Sequence, residues 1–180
     1  YGMPMGVLWK HSISVALACR QLNGRVDERH RATLFTAGLL HDVGKMVLNT
    51  FVGDEYSKIV AKVRNDQLSF LEAERQVLGY DHCIVGASLA AHWKLPDAIV
   101  NPVRMHHAPD DLDPPDVIVD LVHVADSLCL MVGLGLGDDG LAYRASMSAL
   151  KRLGMTHHEM FEIAADLLFQ VQEFESSLRG

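Results

Sequence analysis

Cysteine is scarce in this chain. Cys19, Cys83 and Cys129 are the only three in 180 residues; they are far apart, odd in number and form no C-x-x-C pair. This argues against a disulfide framework and reads as reduced core thiols of a cytosolic protein. Long apolar runs are missing too: the best candidate for a membrane span, Val117 to Leu136, is broken by Asp120, His123 and Asp126, short of the roughly 18 uninterrupted residues a span needs. There is no basic excess, since 16 Lys+Arg stand against 23 Asp+Glu for a net charge of −7, with the signs scattered rather than blocked. A nucleic-acid partner is therefore not expected. The start, Tyr1 and then Gly2-Met3-Pro4-Met5-Gly6, lacks the charged region and apolar core of a signal peptide and has the look of a piece excised from a longer protein. What the chain does have is 49% hydrophobic residues, which excludes disorder and predicts one buried core, a single domain over residues 1–180.

Apolar residues recur at spacings of three and four, and long alternating runs are absent, so the expected fold class is all-α, a helical bundle. The pattern predicts a first helix from about Val7 to Leu22 with Leu8, Val15, Ala18, Cys19 and Leu22 on one stripe, closed by Asn23-Gly24. A second helix follows Asp27 and runs toward His41, and a third covers about Asp54 to Arg64. Ser69-x-x-Glu72 has the spacing of a capping box at a further helix start. Asp81 is the expected cap of a helix through Trp93; Pro96 suits the first turn of the next, which should carry His106 and His107 near its end. After a loop over Asp110 to Pro114, Pro115 is expected to open a strongly apolar helix to about Val132, broken by Gly133, Gly135, Gly137 and Gly140. Two helices complete the chain over 140–178. The last begins at the capping box Thr156-His157-His158-Glu159 and presents a stripe of Phe161, Ala164, Ala165, Leu168, Val171 and Phe174, expected to pack on the bundle, with partner docking as the alternative.

Several of the ten histidines sit beside carboxylates in segments that look buried. His41-Asp42 closes the apolar run from Leu34 to Leu40, and Lys45 follows three residues after Asp42, on the same face if the helix continues. That dyad reads either as a site or as an exposed ion pair at a helix end. Asp126 lies within an apolar stretch where an ionised carboxylate must find a partner: a metal ion, His123, or a solvent-facing stripe of Asp120, His123 and Ser127. His106 and His107 point about 100° apart on a helix, so both reach one site only at a helix end or around two adjacent ions; otherwise they are a solvated pair. His82 and His11 carry little weight singly. Together, His11, His41-Asp42, His82, His106-His107 and Asp126 supply only imidazole and carboxylate, a donor set suited to Zn, Fe or Mn. The remaining reading is chance, in which these side chains lie far apart.

The order H…HD…H…HH…D resembles the HD superfamily of helical metal-dependent phosphohydrolases, and more closely the HD-containing half of an HDOD domain. The phrases that carry the likeness are Leu8-Trp9-Lys10-His11-Ser12, Ala37 to Lys45, Glu74 with Leu78-Gly79-Tyr80-Asp81-His82 and Val85-Gly86-Ala87, Trp93-Lys94-Leu95-Pro96, and His106-His107, spanning Leu8 to Leu130. The resemblance implies that His11, His41, Asp42 and Asp126 are the core metal positions, with Asp42 bridging two ions. By the same likeness His82, His106 and His107 complete a second ion, and Lys45 stands near the substrate phosphate. It implies two divalent ions, a phosphate-ester or nucleotide ligand, Asp42 and Lys45 in catalysis, and a bacterial signalling module. Its partners would be signalling proteins and the family's N-terminal helical region, which is missing from this sequence. The alternative is a regulatory, protein-binding module with a vestigial site. After His107 the chain reads Ala108-Pro109-Asp110-Asp111, without the Glu and Gly-Tyr-Pro of the cyclic-di-GMP phosphodiesterases, so that substrate is not implied.

Overall fold

The computed structural model describes residues 5–134 and 145–177, and all its regular elements there are helical. In chain order they are α1 (Met5–Gln21), α2 (Arg31–Leu40), α3 (Val43–Phe51), α4 (Gly53–Asp66), α5 (Phe70–Leu78), α6 (His82–His92), α7 (Asp97–Met105), α8 (Val117–Met131), α9 (Met147–Arg152) and α10 (His157–Ser177), with 3-10 turns at Leu22–Arg25, Glu28–His30 and Pro109–Asp111. The all-α expectation holds. Among these residues no helix is long and apolar enough to cross a membrane.

The largest apolar cluster joins α1, α2, α8, α9 and α10, and the whole predicted α1 stripe is buried in it except Leu8, which is buried elsewhere on the same helix. Two smaller clusters sit to the side, one among α3, α4 and α5, the other among α6, α7 and Val43. Both capping boxes form: Ser69 Oγ accepts from the Glu72 N–H at 3.2 Å while Glu72 Oε2 accepts from the Ser69 N–H at 2.9 Å, and Thr156 and Glu159 repeat the exchange at 3.2 and 2.8 Å. Asp81 caps α6 by accepting from the Ile84 N–H at 2.8 Å, and its other oxygen holds Arg75 at 2.6 Å.

Helix α2 ends at Leu40, in keeping with a helix running toward His41; four other points are corrected. His41-Asp42 forms a tight corner, and a separate helix, α3, which no expectation covers, begins at Val43 with Asp42 as its N-terminal flanking residue. Pro96 stands just outside α7. Helix α8 starts at Val117 rather than Pro115, because Asp116 accepts from the Ile118 N–H at 2.8 Å and takes the cap. The buried stripe of α10 is Met160, Ala164, Leu167 and Val171, so Phe161 (65% exposed), Ala165 and Leu168 face out; apolar residues at adjacent positions made two phases look alike. Gly133 ends α8 with φ +77°, while Gly135, Gly137, Gly140 and Leu178 lie outside the described residues.

One close approach positions everything that follows. Helices α3 and α6 touch backbone to backbone, so a Cβ on Gly44 would overlap the His82 carbonyl oxygen and stand 2.7 Å from the Gly86 nitrogen. Only a glycine in the first turn of α3 lets the Asp42 corner come this near the start of α6. Gly44→Ala is therefore expected to cost roughly 1–3 kcal/mol through forced separation of the two helices. The check is urea denaturation, where the midpoint should fall at unchanged slope; an unaltered midpoint would show that the contact has slack.

Candidate metal centre

The expected residues come together at the meeting point of α1, the α2–α3 corner, α6, α7 and α8. His11 comes from α1, His41 and Asp42 from the corner, His82 from the first turn of α6, His106 and His107 from the end of α7, and Asp126 from α8. Six of the seven are buried, and His107, the least covered, is intermediate as a residue with 6% of its side chain exposed. The chance reading and the solvated-pair readings are excluded by this geometry. So is the solvent-facing stripe: Asp120, His123 and Ser127 are buried on α8, which is covered on nearly all sides.

Asp42 is the hub. Its Oδ2 lies 3.4 Å from His41 Nε2, 3.8 Å from His11 Nε2 and 2.9 Å from Lys45 Nζ; its Oδ1 lies 3.5 Å from His82 Nε2 and 3.6 Å from His106 Nε2. Each oxygen thus faces a different pair of imidazoles. Asp126 supports both sides, with Oδ1 at 3.1 Å from His11 Nε2 and 3.8 Å from His41 Nε2, and Oδ2 at 4.0 Å from His107 Nδ1. His82 and His107 approach each other at 3.0 Å between Nε2 atoms.

The ring orientations are set from behind. His11 Nδ1 donates to the Leu134 carbonyl at 2.8 Å, His41 Nδ1 to the Gly38 carbonyl at 2.7 Å, and His82 Nδ1 to Glu74 Oε2 at 2.7 Å; His106 Nδ1 shares its proton between the Pro102 and Val103 carbonyls at 3.1 Å each. With Nδ1 donating outward in all four, each Nε2 is aimed at the Asp42–Asp126 region, the orientation that outer hydrogen bonds impose on metal-binding imidazoles. A buried atom without a hydrogen bond is costly, yet Nε2 of His41 and of His106 and both oxygens of Asp42 receive none of good geometry, Lys45 being close to Oδ2 but poorly directed. The donor set and these orphaned atoms fit divalent transition-metal ions. Cys83 belongs to this cluster as well: its Sγ stands 4.0 Å from His106 Nδ1 and within 4.8 Å of a ring nitrogen of His82 and of His107, and His82 and His106 pull its thiol down to about 7 against burial, so a thiolate joins the imidazoles and carboxylates as a candidate ligand.

Electrostatics agree with the geometry. Burial alone would raise the Asp42 carboxyl, but the Lys45 ammonium and His41 outweigh it and hold the group well below the usual carboxylate range. Asp126 is likewise held down against burial, chiefly by the hydrogen bond from His11. Burial lowers His41, and burial together with His106 and His82 lowers His107. The other three rings are raised against burial, His11 by Asp126, His82 by Cys83 and Glu74, and His106, to about 10, by Cys83 and Asp42. Without an ion the anionic carboxylates therefore hold positive charge on some of the rings around them.

Two supporting residues are not legible as site residues in the sequence. Glu74, fully buried on α5, accepts from both the backbone N–H and the Nδ1–H of His82, at 2.9 and 2.7 Å, across the turn made by Gly79 at φ +81°. His123 does not pair with Asp126. Its Nδ1 donates to the His106 carbonyl at 2.6 Å and its Nε2 accepts from the Ser146 N–H at 2.8 Å, tying α7, α8 and the cap of α9 together. Beside it Arg152 clasps the buried Asp120 with bonds of 2.8 and 2.7 Å and reaches Asp110 at 2.9 Å.

His123 must stay neutral to accept at Nε2, and burial, the dominant influence, lowers its pKa below 6.5. The unfolded chain then binds the proton first as pH falls, so this residue's contribution is intact above about pH 6.5 and is lost below it. His123→Gln, which can keep one donor and one acceptor, is expected to flatten that loss. Wild-type stability should fall more steeply than the variant's between pH 7 and 5 in chemical denaturation; parallel curves would show that His123 does not titrate in this way.

Comparisons with known proteins give both the fold and a family. In structure the chain is similar to an HDOD domain protein of unknown function from Geobacter sulfurreducens, with 30% identity and a TM-score of 0.72 over 98% of this chain and 60% of that one. A candidate phosphohydrolase from Shewanella amazonensis SB2B (22% identity, TM-score 0.71, 93% of this chain and 60% of that one) and a candidate signal transduction protein from Marinobacter aquaeolei VT8 (19% identity, TM-score 0.79, 94% and 38%) share the fold. An uncharacterised protein of Treponema pallidum (strain Nichols) is 30% identical over 94 residues, 49% of this chain but only 18% of its own length. The chain thus spans less than two thirds of each of these relatives, from 18% to 60% of their length. The family model for the HDOD domain matches residues 1–109, more than half of the 180. The chain belongs to the HDOD domain family.

Proposed function

We propose that the centre holds two divalent transition-metal ions, Fe, Mn or Zn, and that the chain is a cytoplasmic bacterial signalling module whose centre hydrolyses a phosphate ester. The observation that carries this reading is the division of Asp42: one oxygen faces His11 and His41, the other His82 and His106, with Nδ1 of all four rings committed outward and Nε2 of His41 and of His106 and both Asp42 oxygens left without a hydrogen bond. His11, His41 and Asp126 would serve one ion, and His82, His106 and His107, with Cys83 beside them, the other; Asp42, grouped with His41 and His106, would serve both. Bound ions of this kind supply Lewis-acid polarisation of a phosphoryl oxygen. The chain's own residues do the rest. Lys45, buried against Asp42, keeps that carboxylate ionised and adds a fixed positive charge where a phosphate would lie. Glu74 fixes the tautomer and direction of His82. Asp126 and His11 share a proton in a 3.1 Å contact that a cation would displace, which couples loading to proton release.

One observation favours a second reading, a regulatory module in which bound metal is structural. Every ligand and Lys45 is at most a few per cent exposed, leaving little visible surface for a substrate. The two readings separate on hydrolysis of bis(p-nitrophenyl) phosphate by tag-free protein supplied with Mn, Fe or Zn. The enzymatic reading expects metal-dependent turnover that drops at least a hundredfold in Asp42→Asn; wild type and variant equally inert with all three metals would leave only the regulatory role.

A further inference from the structure

The two halves of the centre do not offer the same chemistry. His11, His41 and Asp126 bring two imidazoles and a carboxylate, and no sulfur. His82, His106 and His107 bring three imidazoles, and the group they form, with ligand atoms within 4.8 Å of one another, is completed by Cys83 Sγ. Cys83 follows His82 in the first turn of α6, is 3% exposed and stands 4.0 Å from a nitrogen of His106, while the Nε2 atoms of His82 and His107 lie 3.0 Å apart. His106 is fully buried and its Nε2 has no hydrogen bond, so this half has an unmet polar atom of its own. Cys19 and Cys129 join no such group among the described residues. Charge points the same way. Two divalent ions bring four positive charges into a buried space where Lys45 is a further cation, and Asp42 and Asp126 return only two negative charges. Excess charge in a site closed to water is costly. Asp126 is grouped with His11 and His41, so apart from the shared Asp42 the half with three rings has Cys83 as the one source of an anionic ligand within its group.

We propose that Cys83 is a thiolate ligand of the ion held by His82, His106 and His107, and that it gives this half of the centre the stronger preference for zinc over manganese; the proposal rests on the reading of the centre as a two-ion site. In forming the bond the thiol loses its proton to solvent and the sulfur donates an electron pair to the ion, so nothing is oxidised or reduced. Thiolate is a soft donor that favours zinc, whereas carboxylate oxygen suits manganese. The two positions are therefore unequal, and a chain loaded from a mixture of zinc and manganese takes zinc first on the side of Cys83.

Cobalt(II) reports the bond, because a cobalt–thiolate pair has a charge-transfer absorption in the near ultraviolet that imidazole and carboxylate ligands do not give. Metal-free, reduced, tag-free protein is loaded with cobalt in thiol-free buffer, and the bound cobalt is counted. The expected result is this absorption in wild type, in Cys19→Ala and in Cys129→Ala, and its loss, per bound cobalt, in Cys83→Ser. The preference for zinc over manganese in competitive loading should also be roughly tenfold smaller in Cys83→Ser. If Cys83→Ser loses its helical circular dichroism, the other two variants still decide, since absorption retained in both leaves Cys83 as its source. Two bound cobalt ions without the absorption in wild type overturn the thiolate bond and leave the two-ion reading standing. Absorption that survives in Cys83→Ser, or that vanishes in a folded Cys19→Ala or Cys129→Ala, does the same, and an unchanged zinc preference in Cys83→Ser overturns the selectivity. Protein that binds neither cobalt nor zinc overturns the two-ion reading and the proposal with it.

Discussion

An ionised carboxylate sealed inside a helical bundle is the constraint from which most of this structure follows. Asp42 is 1% exposed and gives up its hydration, which must be replaced by positive charge or directed donors. Lys45 supplies one compensating charge at 2.9 Å, and four imidazole nitrogens approach within 3.8 Å without donating well-formed hydrogen bonds. Lone pairs facing a carboxylate gain nothing from each other unless a cation lies between them. The helices around this point spend several special features on the arrangement: the break between α2 and α3, the Gly44–Gly86 contact, and the buried Glu74.

The outer layer explains why the cluster is directed rather than merely crowded. Three of the four fixed rings are held by main-chain carbonyls, at Leu134, Gly38 and the last turn of α7, and the fourth by Glu74. Backbone acceptors cannot swing away, so ring orientation is tied to helix position. Any shift of α7 relative to α8 would pass through His123, which grips the His106 carbonyl, and through the Arg152 clasp on Asp120 and Asp110. The parts of the chain outside the main ligand set thereby contribute to the centre's shape.

The fold class and the ligand set were legible in the sequence because both rest on repeated signals. Helical periodicity runs through most of the chain, and seven residues in a fixed order are a pattern that chance rarely supplies. A helix end near His41 was legible, but the new helix α3 from Val43 was not, since nothing in Asp42-Val43-Gly44-Lys45 announces a fresh start; Gly44 makes sense only once α6 lies against it. The phase of α10 was ambiguous because Phe161, Leu168 and Phe174 are as apolar as Met160, Leu167 and Val171, and burial was decided by what α1 and α8 offered as a surface. Glu74 and His123 act through hydrogen bonds to partners 8 and 17 residues away, a relation that composition and spacing do not encode.

The central claim is that these seven side chains form a two-ion site, and the most direct test is elemental analysis of tag-free, chelator-free protein, with Asp42→Ala alongside. The account predicts close to two moles of transition metal per mole of wild-type chain and clearly less in the variant, whose bridge between the two ring pairs is gone. A wild-type value near zero that stays there after reconstitution with Mn, Fe and Zn would contradict it.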